Sequence, residues 1–298
     1  MPKTPALFLL ATLFLLGTPL AVQAQEDVRA DLLRRINDER ARGGAPPLRL
    51  SPALGQVAQQ HAEEMGRSGN LRQERASSDR LHRLIKQAGY DVREWTESMT
   101  ATDRNPASLL RTWAERDPGS YRKLLRADYR DLGIGVSRLQ GQALYAFLFA
   151  VPESEAFGRE TASLRDLAAV RAEMLRRVND IRRRQGLATL AADPKLDRAA
   201  QAHAEDMLRR GYFEHKSPDG TTVRERSKAA GYNWRSIGEN IAEGQLSVAE
   251  VVDTWMNSPG HRRNLLDPGF RELGVGLALG NGRGGYRVLW VQNFGTPR

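Results

Sequence analysis

The feature that most constrains this chain is that it contains itself twice. Residues 33–69 align with residues 175–211 at a constant offset of 142, with 19 identities in 37 positions. Leu33-Arg34-Arg35 returns as Leu175-Arg176-Arg177, Asn37-Asp38 as Asn179-Asp180, and His61-Ala62-Glu63 as His203-Ala204-Glu205. The register persists through Gly89-Tyr90 and Gly231-Tyr232, Glu97 and Glu239, and Trp113 and Trp255, after which one extra residue in the first copy lowers the offset to 141. Gly133-Ile134-Gly135 then matches Gly274-Val275-Gly276. A period this long implies two homologous domains, not a solenoid of short units. The 298 residues, 40 % of them hydrophobic, suffice for two cores of ordinary size.

The joint between the copies is expected between about 152 and 168, where the strand-like run Ala143 to Val151 gives way to Pro152-Glu153-Ser154-Glu155 and Gly158. Each copy reads in the same order. In the second, Leu175, Val178 and Ile181 have helical spacing, and a further helix is opened by Asp193 as N-cap with Pro194 in its first turn, running through Met207. A short helix ending at Gly231 follows, then one through Val248, Val251, Val252 and Trp255. Two terminal strands, Leu273 to Leu279 and Tyr286 to Phe294, flank the Gly-rich turn 280–285. The expected class is α+β, with helices on both faces of a small, largely antiparallel sheet.

Residues 1–24 read as a secretory signal: Lys3, the apolar run Ala6 to Leu16, and the small-residue site Val22-Gln23-Ala24, leaving a mature chain from Gln25. The run is too short for a good membrane span, and no later window approaches about 18 apolar residues, so an exported chain that does not span the membrane is expected. With no cysteine, neither disulfides nor an acylated N-terminal cysteine can form. The net charge of +9 comes from 45 basic against 36 acidic residues and is spread along the chain. No basic-aromatic motif or recognition module accompanies it, which argues against nucleic acid as a partner.

The chemistry is sought among five histidines. His61 and His203 share one helical position, which points to a shared packing or hydrogen-bonding role. His215 and His261 have no counterparts, since Gln73 and Ser120 stand opposite them. Taken singly, each has an ordinary reading. His215 would hydrogen-bond the turn Ser217-Pro218-Asp219-Gly220, His261 would be a polar residue at the start of a helix capped by Ser258 and opened by Pro259, and Glu239 would be a surface acid.

Taken together, Phe213-Glu214-His215, Gly238-Glu239-Asn240-Ile241-Ala242, Trp255-Met256-Asn257-Ser258-Pro259-Gly260-His261-Arg262 and Val291-Gln292-Asn293-Phe294-Gly295 resemble the CAP superfamily. This is the SCP-domain family of cysteine-rich secretory proteins, antigen 5 and pathogenesis-related 1 proteins, here in its cysteine-free bacterial branch. The resemblance covers residues 170–298 and, through the repeat, residues 28–151. It implies a three-layer α-β-α sandwich in two tandem copies, a degenerate domain over 25–155 and a full one over 165–298. It also implies a cleft with a tetrad of two histidines and two acids, known to bind divalent metal in some members. His215, Glu239 and His261 match three of these positions. The family's second acid, three residues after the helix tryptophan, is Ser258 here, and Asp253 lies on a different helical face from Trp255.

Two imidazoles and a carboxylate around an open position suit one divalent ion such as zinc, with water as fourth ligand. Without metal, the same groups could form a His-Glu-His hydrogen-bond cluster. The leading reading is an exported, non-enzymatic protein whose second domain offers a cleft, bounded by His215, Glu239, Asn240, Ser258 and His261, to a lipid or cell-envelope ligand. The alternative is a metal-dependent hydrolase of peptides or envelope polymers, with Glu239, His215 and His261 as its catalytic candidates. No Ser or Cys sits in a recognisable nucleophile setting. Adhesion through general basic charge is a third reading, one that would fade steeply with salt.

Overall fold

The structure, a computed structural model, describes residues 20–69, 75–102 and 108–298. The core of the expected signal segment and Gln73 lie outside the described residues. The expected cleavage site Val22-Gln23-Ala24 lies within the first helix. Two compact units divide between Pro152 and Glu153.

The first unit runs α1 (Leu20–Arg42), β1 (Arg49–Leu50), α2 (Pro52–Ser68), α3 (Arg75–Gln87), β2 (Val92–Thr102), α4 (Leu109–Arg116), α5 (Pro118–Leu125), β3 (Asp131–Leu139) and β4 (Gln142–Pro152). The second runs α6 (Glu153–Glu160), a 3-10 turn (Ala162–Leu164), α7 (Leu167–Arg184), β5 (Ala191–Ala192), α8 (Pro194–Arg210), α9 (Val223–Ala229), β6 (Trp234–Glu243), α10 (Val248–Met256), α11 (Pro259–Leu266), β7 (Glu272–Gly282) and β8 (Gly285–Pro297). The sheets have one topology, β1-β3-β4-β2 and β5-β7-β8-β6. The two-residue strands pair in parallel and all other pairs are antiparallel.

Alternation along the strands sorts the side chains into layers. In the second unit Leu273, Val275 and Leu277 of β7, with Trp290 and Phe294 of β8, pack against Met174 and Val178 of α7, Val251 and Trp255 of α10, and Leu265 of α11. The opposite face, with Ile241, Ala278, Leu289 and Val291, packs on Ala200, Ala204 and Met207 of α8. In the first unit Leu148 and Ala150 face Leu54, Val57 and Ala58 of α2, while Phe147 meets Trp113 of α4 edge-on at 4.9 Å. Both units are thus helix-sheet-helix sandwiches, as the element order implied.

Two glycines per unit set the spacing of these layers. A Cβ on Gly274 or Gly276 would lie 2.2 and 2.3 Å from the main chain of Leu196 and Ala200, and one on Gly133 or Gly135 would lie 2.3 and 2.0 Å from that of Leu54 and Ala58. α2 and α8 therefore rest directly on strand backbone. Both helices start as their sequences imply. Ser51 accepts from Leu54 N at 3.3 Å, and Asp193 accepts from Lys195 N and Leu196 N at 2.8 Å each, with proline next in both cases. Ser258 occupies the N-cap of α11 but its side chain makes no capping bond.

A buried arginine in each unit ties the first long helix to the helix before the terminal hairpin. Arg182 donates from Nε to Ala188 O (2.8 Å) and from Nη1 to Leu265 O (2.8 Å) and Asp267 O (3.0 Å). Arg40 donates to Pro46 O, Leu124 O, Arg126 O and Tyr129 O. Each guanidinium therefore satisfies carbonyls left over at a helix C-terminus.

Three local expectations change. The polar joint is folded: α6 and the 3-10 turn belong to the second unit, with Leu164 in its core and Phe157 5.0 Å from the Tyr286 ring. Its apolar residues find a surface there, so α6 and the 3-10 turn pack with the second unit. The Gly-rich turn is mostly ladder, paired from Gly280↔Arg287 to Gly282↔Gly285, which leaves Arg283-Gly284 as the turn with Gly284 at φ +103°. Finally, Gly238-Glu239-Asn240 lies in a full edge strand, β6, that its polar composition concealed.

Candidate functional site

The site is built on β6, where neighbouring residues point to opposite faces of the sheet. Glu239 shares its face with Ile241, which packs on α8. Asn240 shares its face with Ala242, which packs with α10. Glu239 is therefore not a surface acid: its side chain is only 3 % exposed, and a buried carboxylate needs partners. Arg226 of α9 donates from Nη2 to Oε2 at 2.8 Å, and His215 Nδ1 lies 2.9 Å from Oε1. Asn293, its ladder partner on β8, brings its amide beside Oε2, and with the amide turned over, as its neighbours require, the nitrogen lies 3.2 Å from that oxygen. His203 Nε2 stands further off, at 3.9 Å from Oε1.

The loop carrying His215 is fastened at several points. Arg226 also donates to His215 O (3.0 Å) and Thr221 O (3.0 Å), and His203 Nε2 meets Glu214 O at 3.1 Å. The Tyr212 hydroxyl lies between Asp206 Oδ2 (2.7 Å) and Ser217 Oγ (2.9 Å). α9 is itself fixed by a capping box in which Thr222 and Glu225 satisfy each other's end. His215 thus reaches past its turn to Glu239, while 58 % of its side chain stays exposed.

On the other face, Asn240 donates to His261 O (3.2 Å), and Asn264 donates to Glu239 O (3.1 Å) and Asn240 Oδ1 (2.8 Å). α11 is thereby laced along the edge strand. The His261 ring has its Nδ1 buried with no partner among the described residues. Burial, and secondarily the charge of His215, hold His261 below the ordinary imidazole range. Burial also lowers His203, partly opposed by the Glu239 carboxylate.

The expected metal set, His215, Glu239 and His261, is not gathered in this arrangement. Among the described residues no three His, Asp, Glu or Cys side chains form a group that could hold a metal ion. The physical reason lies in β6 and α9. Glu239 turns to the α8 face and spends its carboxylate on His215 and on the guanidinium of Arg226, a fixed positive charge already at the carboxylate. A metal does not fit this donor set as it stands.

The first copy answers the same residues differently. Leu84 stands where the second has Arg226, Lys123 where it has Asn264, and Leu148 pairs with Glu97 where Asn293 pairs with Glu239. Lys123 Nζ donates to Glu97 O at 2.6 Å, the same carbonyl that Asn264 takes in the second copy. His61 Nε2 lies 2.7 Å from Glu97 Oε1, both side chains buried. Ser120 is buried in the first turn of α5, its N–H on Asp117 Oδ1. Arg226 and Asn264 lie outside the motifs altogether, and Asn293, though within the closing motif, carried no assigned role there. The signal for Arg226 was present as a charge facing a leucine across the repeat.

Comparison with known proteins agrees with this architecture. The model of the cysteine-rich secretory protein family, CAP, matches residues 33–150 and again residues 175–294. This chain belongs to the CAP family. It carries two CAP domains without a single cysteine. A similar protein is YkwD of Bacillus subtilis (strain 168), uncharacterized, 36 % identical over 134 residues, which are 45 % of this chain and 50 % of that one. Another is YlbC of the same organism, an uncharacterized membrane protein, 35 % identical over 122 residues, 41 % of this chain and 33 % of that one. The matches therefore span half or less of these curated relatives' own length. Among solved structures, an extracellular SCP-domain protein from Bacillus anthracis str. Ames is similar at 24 % identity, covering 54 % of this chain and 59 % of that one with a TM-score of 0.40. An outer surface protein from Borrelia burgdorferi is similar at 21 %, covering 43 % of this chain and 92 % of that one, with a TM-score of 0.38. Among the described residues no helix is long and apolar enough to cross a membrane.

Proposed function

We propose that this is an exported CAP protein whose second domain is a non-enzymatic binding module, receiving a cell-envelope or lipid ligand at the β6 edge beside His215, Asn240, Ser258 and His261. The observation that carries the reading is the state of Glu239. Its carboxylate is buried and engaged by Arg226 and His215, so it positions a histidine and is not a free base. His215 presents the exposed side of its ring as a polar contact for a ligand. The first domain lacks that histidine and serves as partner or scaffold.

One feature favours the hydrolase alternative: a solvent-facing imidazole oriented by a buried carboxylate is how general bases are held. The experiment uses the mature chain, starting at Gln25, purified without tags or added metal. Sedimentation with isolated cell envelopes and with lipid vesicles is expected to retain the wild type, to lose it for His215→Ala, and to be indifferent to chelator. Turnover of envelope polymer or peptide that disappears on chelation and in Glu239→Gln would overturn the reading in favour of the hydrolase. Retention of His215→Ala equal to wild type would place binding elsewhere.

A further inference from the structure

Strands β3 and β7 each leave an edge bare beyond their two-residue parallel partner, and the second domain covers that edge with side chains. Asp197 Oδ1 accepts from Val275 N (2.7 Å), Arg171 Nε donates to Val275 O (2.9 Å), and the Gln201 amide takes both the N–H (3.0 Å) and the carbonyl (2.9 Å) of Leu277. The first domain repeats most of this. Gln59 takes both groups of Val136 at 2.9 Å each, and Arg29 Nε donates to Ile134 O at 3.0 Å.

One cap is missing. Gly55 stands opposite Asp197 in the repeat, so the carboxylate that meets Val275 N has no counterpart for Ile134 N. Strand parity aims this N–H at the bare edge, because Leu132 O accepts from Ser51 N there and Ile134 O faces Arg29. Ile134 is 1 % exposed as a residue, and its N–H has no side-chain acceptor among the described residues, which leaves a donor free for a ligand at the edge.

The vacated position is open and faces a guanidinium. A Cβ on Gly55 would meet nothing within 4 Å, and the space continues into a groove of about 520 Å³ lined by Leu50, Pro52, Leu132 and Ile134, with Glu26 beside them. Arg29 has its Nη2 on Gln59 Oε1 at 2.7 Å and no carboxylate partner among the described residues, whereas Arg171 Nε lies 3.5 Å from Asp197 Oδ1. The first turn of α8 holds that acid and the first turn of α2 holds none, so the helix field there also favours an anion. Leu50, 40 % exposed, is among the most exposed large apolar side chains of the described residues.

We propose that the first CAP domain binds a small aliphatic monocarboxylate in this groove. The ligand's carboxylate replaces that of Asp197, accepting from Ile134 N–H and facing Arg29, and its apolar tail lies on Leu50, Pro52 and Leu132. The exposed Glu26 repels a second carboxylate, which excludes dicarboxylates. The second domain cannot bind in this way, since its own aspartate fills the position.

The test is a titration of the ¹⁵N-labelled full chain with hexanoate, succinate and hexanol, following the Ile134 amide resonance. Hexanoate is expected to shift it saturably with Kd on the order of 1 mM, with succinate and hexanol at least tenfold weaker. Gly55→Asp supplies the carboxylate from the chain and is expected to abolish the response while raising the melting temperature. Arg29→Gln is expected to weaken binding about tenfold. An Ile134 resonance unmoved by hexanoate, an equal response to hexanol, or undiminished binding in Gly55→Asp each overturns the proposal.

Discussion

His61 and His203 hold the same position in α2 and α8, yet His61 lies 2.7 Å from its strand glutamate and His203 lies 3.9 Å from its own. The difference originates in a third residue. In the second domain Arg226 and His215 occupy the Glu239 carboxylate, and His203 turns to the carbonyl of Glu214. In the first domain Leu84 replaces that arginine and Glu97 meets the helix histidine. A buried carboxylate takes whichever donor its surroundings offer. The acid is common to both domains, and what separates a site reaching solvent from a carboxylate that meets its helix histidine inside the core is the set of neighbours.

The largest effect that would break this comparison is expected from Arg226→Leu, which gives the second domain the first domain's residue. It leaves Glu239 buried without its main counter-charge and is expected to cost about 4 kcal/mol in denaturant unfolding, most of it recovered in the double variant with Glu239→Gln. A cost near zero would mean that Arg226 does not hold the acid. Next come Arg40→Met and Arg182→Met, which strip carbonyls of their donor in both domains. Each is expected to cost about 3 kcal/mol, and Arg40→Met more, since Arg40 serves four carbonyls and Arg182 three. Hydrogen exchange on the full chain reads each domain separately, and an effect that crosses from one domain to the other would contradict their division into two units.

The smallest effect is on pH. His203 and His261 are both held below the ordinary imidazole value, so near that value the unfolded chain binds more protons than the folded one. Stability of the second domain is therefore full above about pH 6.5 and falls as pH drops through the window below it. Thermal melts across this range that show no loss on acidification would mean that these rings are not held neutral by the fold.

Much of this was readable from residue order. The repeat announced two domains, Asp193-Pro194 announced the start of α8, and the runs on either side of the Gly-rich turn announced β7 and β8. The motifs named the family and placed His215 and Glu239 together. What could not be read was the orientation set by β6. Spacings of 24 and 22 residues between His215, Glu239 and His261 carry no information about which face of a strand each residue meets. An alternation of apolar and polar residues would have supplied it, but β6 buries polar side chains on both faces, Glu239 on one and Asn240 on the other, so its pattern did not look like a strand. Arg226 was hidden for the opposite reason: an arginine in a short helix reads as solvated until the acid beneath it is known.

The glycines under α2 and α8 have a further consequence. Because helix backbone rests on strand backbone, the distance from α8 to the sheet does not depend on how large the surrounding core residues are. Exchanging a leucine for a valine elsewhere in the sandwich leaves that spacer unchanged, and the helix histidine with it. The two copies have accordingly been free to diverge across their cores while keeping helix and strand in one register. Enlarging any of these four glycines by a single methyl group would push the helix off the sheet, so a change remote from the site would reset its geometry more than many changes within it.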